Sequence, residues 1–231
     1  MWQALRTELH PLGVEVVTVA LDVDADAARP FIEQANAEHP SLIDQAHVLD
    51  ELFGVVNVPN GVWIDEDGMI VRPAEPAHPG RNPFTDSFKT MDLSTVPPEL
   101  VDVLREAQKI RTDPEAYVAM LRDWAANGSK SRYALAPDEV VHRSRPRDAD
   151  GAAAAAHFEL GQHLHRSGDH AAAIPHWREA HRLDPDNWTY RRNAWNFEDP
   201  TRQGHTDAYD SSWYEDVKKI GAENYYPPLR P

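Results

Sequence analysis

Residues 55–72 read VVNVPNGVWIDEDGMIVR, and this stretch decides the fold of the first third of the chain. Two runs rich in β-branched and aromatic residues, Gly61–Asp65 and Met69–Arg72, are separated by Glu66-Asp67-Gly68. An Asp-Gly pair between two such runs is a strong signal for a tight turn between antiparallel strands. The stretch therefore predicts a β-hairpin that follows a proline at position 59.

The residues upstream of the hairpin alternate between helical and extended patterns. Val14–Leu21 (VEVVTVAL) is a β-branched run typical of a strand that is buried on both faces. Helical patterns and one short extended piece surround it, at Trp2–Leu9, Ala25–Glu38, Ser41–Asp44 and Ala46–Phe53. Gly54 is the expected C-cap of the last helix. The predicted order is helix, strand, helix, extended piece, short helix and hairpin.

This ordered set of elements around Val58-Pro59 resembles the thioredoxin superfamily, specifically its redoxin or TlpA-like branch. The resemblance covers roughly residues 1–75. It implies a cis peptide bond between Val58 and Pro59, and a groove for a polypeptide formed by Val58, Pro59 and Asn60. The expected fold class is α/β, with an incomplete thioredoxin-like sheet followed by an α-helical region that contains one tetratricopeptide-like hairpin.

The chain departs from that family in two respects. It contains no cysteine, whereas the family carries Cys-x-x-Cys at the start of the helix that matches Met1-Trp2-Gln3. The strand before this dithiol is also missing, and in the family it lies between the strands that match Val14–Leu21 and Gly61–Asp65. Each backbone group left buried and unpaired by its loss would cost about 1–3 kcal/mol. Three explanations are open. The polypeptide starts upstream of Met1, another segment or a partner takes the place of the missing strand, or the two strands on either side of it pair directly.

The residues after the hairpin predict a linker and then helices. Residues 76–98 are rich in proline and poor in apolar runs, which is typical of a linker. Residues 99–197 form the expected α-helical region. Pro97-Pro98 opens a helix that runs to about Ile110, and Asp113-Pro114 opens a second helix that ends near Gly128. The mixed-charge residues 129–148 are expected to form a solvated connector.

A helical hairpin is predicted at residues 150–187, where small, apolar and proline residues recur with the spacing of a tetratricopeptide repeat. The segment resembles that repeat, in which small residues let two antiparallel helices approach and a proline ends the second helix. The residues that carry the pattern are Leu160, Gly161, Leu164, Ala173, Trp177, Ala180 and Pro185. His157 departs from it, because the repeat usually has a large apolar residue at that position.

One such hairpin cannot bury its own apolar face, so it must pack on something else. Residues 188–195 are expected to begin a third, capping helix. The tail, residues 198–231, contains the run Asn224-Tyr225-Tyr226-Pro227-Pro228-Leu229. This aromatic composition predicts that the tail lies on the body of the protein or on a partner.

Charge and hydropathy exclude several partners. The formal net charge is −15, and residues 1–75 hold 14 acidic against 3 basic side chains. Such a surface repels phosphate backbones, so nucleic acid is not expected as a partner. No apolar run reaches the length of about 18 residues that a membrane span needs, and residues 1–10 do not read as a signal peptide. The sequence thus predicts a cytoplasmic protein, or an extracytoplasmic one if a signal or anchor lies upstream.

No cofactor is expected, and two acidic or histidine-rich patterns are interpreted as structural. His165 and His170 flank a turn that contains Asp169, and these three residues are the candidates for a transition-metal site. Surface or packing roles are favoured, since no His-x-x-x-His pair accompanies them. Four acidic residues have the spacing of a calcium loop, but alanine replaces its glycine, so helix capping is favoured: Asp22, Asp24, Asp26 and Glu33.

Two functional hypotheses follow. Without cysteine this chain has no thiolate for thiol–disulfide exchange. The first hypothesis is a redox-inactive thioredoxin-like protein that acts as a scaffold, with the Val58-Pro59 groove and the helical hairpin holding a protein partner or a second copy of the chain. The second is a TlpA-like thiol-disulfide oxidoreductase whose dithiol lies upstream of Met1.

Overall fold

The computed structural model of the protein describes residues 1–81, 83–144, 146–199, 203–204 and 206–230, with the backbone alone for residues 83–85. The first part of the chain forms α1 (Trp2–Leu9), β1 (Thr18–Ala20), α2 (Ala25–Ala35), β2 (Ser41–Ile43), α3 (Val48–Phe53), β3 (Asn60–Ile64) and β4 (Ile70–Pro76). The rest is helical, with α4 (Pro83–Lys89), α5 (Pro98–Gln108), α6 (Pro114–Asn127), α7 (Pro137–Arg143), α8 (Ala149–Arg166), α9 (His170–Leu183), α10 (Trp188–Glu198) and α11 (Trp213–Ile220).

The four strands form two separate pairs. β1 lies parallel to β2, with Thr18 opposite Ser41, and β3 lies antiparallel to β4. The prediction of a long strand buried on both faces at Val14–Leu21 is wrong: β1 has three residues, and Val17 is 54% exposed. The reason is that β1 has a hydrogen-bonded neighbour on one side only within the described part of the chain. There β1 and β3 do not pair directly, and no strand lies between them.

The hairpin of β3 and β4 is confirmed. Oδ1 of Asp65 accepts hydrogen bonds from the backbone N–H groups of Asp67 (3.0 Å) and Met69 (2.8 Å), and Gly68 adopts a left-handed φ of +78°. The Val58-Pro59 peptide bond is cis, as the resemblance implied. β4 continues to Pro76, beyond the expected end at residue 72, because pairing resumes after a bulge and reaches Asn60.

A first hydrophobic core forms where α1 and α6 cover this hairpin. Trp63 is buried at its centre, stacks on Trp124 with 5.1 Å between ring centroids, and donates from Nε1 to the hydroxyl of Tyr117 at 3.2 Å. Gly61 makes this packing possible, since a Cβ atom there would lie 2.8 Å from that hydroxyl. The hairpin therefore depends on a helix that begins about fifty residues later in the chain.

Two segments between the main elements contain helices that the sequence analysis did not predict. Residues 76–98, expected to be a linker, include α4. The expectation of a solvated connector at residues 129–148 is wrong, since α7 packs on β4 and the backbone N–H of Leu135 donates to the carbonyl of Val71 at 2.9 Å. Pro137 at the first helical position and two acidic residues in the first turn favour this helix, and Val140 buries its apolar side.

The tetratricopeptide-like hairpin is formed by α8 and α9, and the expected third helix is α10. The indole of Trp177 is fully buried against Gly161, where a Cβ atom would lie 2.5 Å from Nε1 of Trp177. Ala173 and Ala180 are fully buried as well, while Leu164 is partly buried. α9 ends at Leu183, two residues before Pro185.

Leu160 was expected to pack within the helical hairpin, but its side chain is 41% exposed. Successive residues of a helix point about 100° apart, so when Gly161 faces α9 the side chain of Leu160 turns away from it. The tail lies on the body of the protein, as one of the two expectations had it: Val217, Ala222 and Tyr225 are buried in the same core as Trp177. No helix among the described residues is both long and apolar enough to cross a membrane.

Candidate functional site

The loop Val55–Pro59 leads from α3 into β3 and is fixed by one buried side chain. Asn57 accepts from the backbone N–H of Val58 at 2.9 Å and donates from Nδ2 to the carbonyl of Tyr225 at 3.2 Å. The carbonyl of Val58 accepts from the hydroxyl of Tyr226 at 2.9 Å. The loop predicted as a groove is therefore in contact with the tail of the same chain.

Pro59 is exposed and lies on a cavity of about 940 Å³, which we call the Pro59 cavity. Its walls come from the first residues of α1, the segment after β4, α4, the start of α6, and the helices and tail near the C-terminus. The aromatic and cationic residues on these walls are Trp2, His78, Arg81, Phe88, Lys89, Arg192, Trp213, Tyr225 and Tyr226. Aromatic walls with a few polar groups are typical of cavities that hold ligands, and aromatic anchors dominate the energetics of protein interfaces.

Three acidic side chains accompany those cations in the Pro59 cavity, and two of them are paired. Nε of Arg81 lies 3.2 Å from Oδ2 of Asp86, and its Nη1 lies 3.6 Å from Glu115. Asp113 is the third acidic residue on the wall, and its side chain caps α6 by accepting from the N–H of Ala116. The charges of the cavity therefore largely balance, in contrast to the strongly acidic surface of residues 1–75.

His78 supplies a polar group that the described part of the chain leaves unused. Its Nε2 atom is buried and has no hydrogen-bond partner among the described residues. Burial, together with the nearby charge of Lys89, lowers the pKa of His78. The ring lies edge-on to Tyr226, with 5.3 Å between centroids.

The three residues predicted for the groove do not share one cavity. Pro59 faces the Pro59 cavity, Val58 contributes a backbone carbonyl, and Asn60 lines a second cavity of about 390 Å³ on the other side of the loop. Neighbouring residues at the start of β3 point to opposite faces, because side chains alternate along a strand. Asn60 is thus separated from Pro59 by the strand geometry that makes the hairpin.

The tetratricopeptide-like hairpin is joined to the first part of the chain by a buried chain of hydrogen bonds. The ring of His47 donates from Nδ1 to Asp50 at 2.8 Å, and its Nε2 accepts from Nδ2 of Asn193 at 2.7 Å. Asn193 in turn accepts from Nε2 of Gln162 at 2.8 Å. Because every one of these residues is buried, their mutual bonds hold α3, α8 and α10 in one arrangement.

A second junction places α10 against the loop before Pro59. The carbonyl of Val56 accepts from the backbone N–H groups of Trp188 at 2.6 Å and Thr189 at 3.3 Å. On the same turn, Tyr190 donates to Glu51, which Arg147 also contacts. Burial raises the pKa of Glu51, and burial together with Glu51 raises the pKa of Tyr190. The N-terminus of α10 therefore fixes the loop that carries Val58 and Pro59.

The metal candidates are only partly brought together. Nδ1 of His165 lies 2.8 Å from Nδ1 of His170, and Nε2 of His170 lies 2.6 Å from Glu198. Asp169 instead caps α9 by accepting from the N–H of Ala172. Burial, followed by the neighbouring His170, lowers the pKa of His165. Within the described ranges, no three histidine or acidic side chains are placed to share a metal ion.

Sequence reasoning found Pro59 but missed most of the walls of the Pro59 cavity. Trp2, His78, Arg192, Trp213 and Tyr226 come from segments far apart in the chain. The high aromatic content of the C-terminal part pointed to Trp213 and Tyr226, but it does not say which rings are exposed to a cavity, and no signal pointed to the other three.

Residues 154–187, which lie in α8, α9 and the residues that follow α9, match the tetratricopeptide repeat family. Two curated relatives are each described as "Thiol-disulfide oxidoreductase ResA", one from Bacillus thuringiensis subsp. konkukian (strain 97-27) and one from Bacillus cereus (strain ATCC 10987 / NRS 248). Each is 29% identical over 69 residues, which cover 28% of this chain and 40% of the relative.

The chain therefore spans 40% of the length of these curated relatives. The similarity supports a distant relationship to thioredoxin-like redoxins. No solved structure matches the chain.

Proposed function

We propose that this protein is a redox-inactive thioredoxin-like and tetratricopeptide-repeat protein that binds an extended segment of a partner protein in the Pro59 cavity. The observation that carries the proposal is the composition of that cavity. Pro59 and Trp2 come from the redoxin-like part, and Arg192, Trp213 and Tyr225 come from the helical part. Both the first third of the chain and its helical part thus contribute walls to one candidate site.

The chemistry of the cavity suits a polypeptide. Aromatic rings offer large apolar contact area at low cost in conformational entropy. His78 adds an imidazole ring to these walls and Tyr226 adds a phenol, so the apolar surface also carries polar side chains. Thiol–disulfide exchange is not part of the proposal, because the nucleophile in that reaction is a thiolate and the chain contains no cysteine.

The helical hairpin has a supporting role in this proposal. Its third helix, α10, holds the loop before Pro59 through the carbonyl of Val56 and supplies Arg192 to the cavity. A second copy of the chain is one form that the partner can take, and light scattering of the purified protein tests it. A cytoplasmic location stays a prediction, to be checked by cell fractionation.

The experiment that tests the proposal is selection of peptides from a phage-displayed random library, followed by affinity measurements on the enriched peptides. Trp2→Ala removes an aromatic wall of the Pro59 cavity and is expected to weaken binding at least tenfold. Phe31→Ala is the matched control, since Phe31 is a large exposed ring on α2 outside the cavity. Failure to enrich any peptide, or equal affinities for wild type and Trp2→Ala, would refute the proposal.

The second candidate function is thiol–disulfide exchange with a dithiol carried upstream of Met1. The descriptions of the curated relatives favour it, and Met1 and Trp2 lie on the same cavity as Pro59. Mass spectrometry of the polypeptide isolated from its native source separates the two candidates. An N-terminal extension that contains Cys-x-x-Cys would support the second candidate, and a chain that starts at Met1 would support the first.

A further inference from the structure

We call the last described residues, 226–230, the tail strap. It has the sequence Tyr-Pro-Pro-Leu-Arg and no regular secondary structure. The residue before it, Tyr225, is only 3% exposed and packs among Trp188 and Trp213, so it anchors the strap to the helical core. Pro227 and Pro228, in contrast, are exposed. The strap is thus fixed at its first residue and solvent-facing in its middle.

The N-terminal end of the tail strap lies at the proposed binding site. Tyr226 lines both the Pro59 cavity and the smaller cavity beside Asn60. Its hydroxyl donates to the carbonyl of Val58 at 2.9 Å, and its ring contacts His78. Burial raises the pKa of Tyr226 to about 12, so the hydroxyl keeps its proton at neutral pH and remains a donor. The strap therefore occupies hydrogen-bonding and ring-contact positions that a bound peptide would use.

The C-terminal end of the tail strap is held by two arginines. The carbonyl of Arg230 accepts from Nη1 of Arg143 at 2.9 Å and also from Nη2 of Arg72. Arg72 is fully buried and is oriented by Glu75, with Nη2 to Oε2 at 3.0 Å. Between the two ends, Leu229 packs against the core under the β3–β4 hairpin. The receptor groups are thus a carbonyl, an imidazole, an apolar surface and two guanidinium groups.

These contacts are those of a short peptide in a binding site. The two prolines favour an extended polyproline conformation, which lowers the entropy lost when such a segment binds. We propose that the tail strap is a tethered ligand that covers the Pro59 cavity at Tyr226 and the smaller cavity beside Asn60 at Pro227, Pro228 and Arg230, and that a partner segment of the same chemistry displaces it. That segment would carry an aromatic residue with a hydroxyl, two prolines and a large aliphatic residue, followed by a backbone carbonyl that the two guanidinium groups can bind. This inference rests on the proposed function and specifies the class of partner.

The test uses fluorescence anisotropy with a labelled, acetylated and amidated peptide of sequence Tyr-Pro-Pro-Leu-Arg. The full chain carries Tyr226→Phe, which removes the bond between the strap and Val58 but leaves every receptor group intact. Because the strap then competes less well, apparent affinity for the peptide is expected to rise about fivefold. Leu229→Ala, which removes the apolar contact of the strap, should also raise the apparent affinity for the peptide. Tyr214→Phe is the matched control, since Tyr214 lies on α11 and contacts Lys218 through its ring.

A second peptide, with phenylalanine in place of the tyrosine, should bind every variant more weakly than the first. Equal affinity of the first peptide for wild type, Tyr226→Phe and Leu229→Ala, or no binding to any of them, would overturn the inference. If peptides selected from the random library still bind in that case, the proposed function stands and the strap is a structural element. If they also fail to bind, both proposals are wrong.

Discussion

The first third of the chain and the helical C-terminal part bury their apolar residues very differently. Residues 1–76 form two short pairs of strands and leave large apolar side chains exposed, among them Leu12, Val17, Phe31, Leu42 and Leu52. The C-terminal part places Trp177, Trp195, Tyr190 and Phe158 in one dense core. The first part completes its own core only with α6, and its loop before Pro59 is held by α10 and the tail. The comparison teaches that the first part of the chain depends on the helical part, and that the candidate site lies where they meet.

The largest effect is expected from a substitution in the hydrophobic core of the C-terminal part. Trp177→Ala removes a fully buried indole and should lower the free energy of unfolding by about 3–5 kcal/mol. Leu160→Ala, on the same hairpin but at an exposed position, should change it by less than about 1 kcal/mol. Urea denaturation followed by circular dichroism measures both values. Equal losses in the two variants would contradict the packing described for α8 and α9.

The next effect tests the dependence of the first part on the helical part. Asn193→Leu leaves Nε2 of His47 and the amide of Gln162 without their hydrogen-bond partners. Each buried group left unpaired should lower the free energy of unfolding by about 1–3 kcal/mol. Asn196→Leu on the same helix is the control, because Asn196 is exposed. Hydrogen exchange should show that the amides of α3 lose protection in Asn193→Leu. Unchanged exchange in α3 would mean that the junction does not support the first part.

A pH-dependent prediction concerns His181 in the helical core. Burial, followed by the charge of Arg191, lowers the pKa of His181 to about 3. The unfolded chain, with a histidine pKa of about 6.5, binds a proton that the folded chain excludes, so stability is full above that pH and falls as the pH drops below it. Between pH 7 and pH 5 this residue should cost wild type about 2 kcal/mol of folding free energy. His181→Leu should flatten the curve over that interval, and parallel curves for the two proteins would show that His181 does not titrate as described.

The smallest effect concerns the contact between α1 and α6 at the surface. Nε of Arg122 lies 2.6 Å from Oε1 of Glu8, and both side chains are about half exposed. Exposed ion pairs contribute little because water and salt screen them, so Arg122→Gln should lower stability by less than about 1 kcal/mol. The small loss should disappear in concentrated salt. A loss of several kcal/mol would mean that this contact, and not the shared core, joins the two helices.

The sequence predicted those elements that are determined by residues within or next to them. The hairpin turn follows from Asp65 and Gly68, the end of α3 from Gly54, and the close approach of α8 and α9 from Gly161. The extent of β1 could not be predicted in the same way, because a β-branched run forms a long buried strand only where neighbouring strands pair with it. Likewise, α7 packs on β4, and Leu135 just before α7 is bonded to Val71, a residue more than sixty positions earlier.

The candidate site was predictable at Pro59 alone, through the resemblance. The contact between Tyr226 and Val58 joins residues 168 positions apart, and no local pattern encodes such a pairing. Asn60 lines the smaller cavity instead, because the direction of a side chain depends on the register of β3, which the sequence left undetermined. His78 and Trp213 enter the site through tertiary packing only.

Photo-crosslinking of a library-selected peptide tests the central claim most directly. A benzophenone placed within the peptide, followed by mass spectrometry of the crosslinked protein, maps the residues that surround it. The account predicts crosslinks in both parts of the chain, near Trp2 and Pro59 on one side and near Trp213 and Tyr225 on the other. Crosslinks confined to one part, such as the exposed surface around Phe31 or the outer face of α8, would contradict a binding site built by both parts.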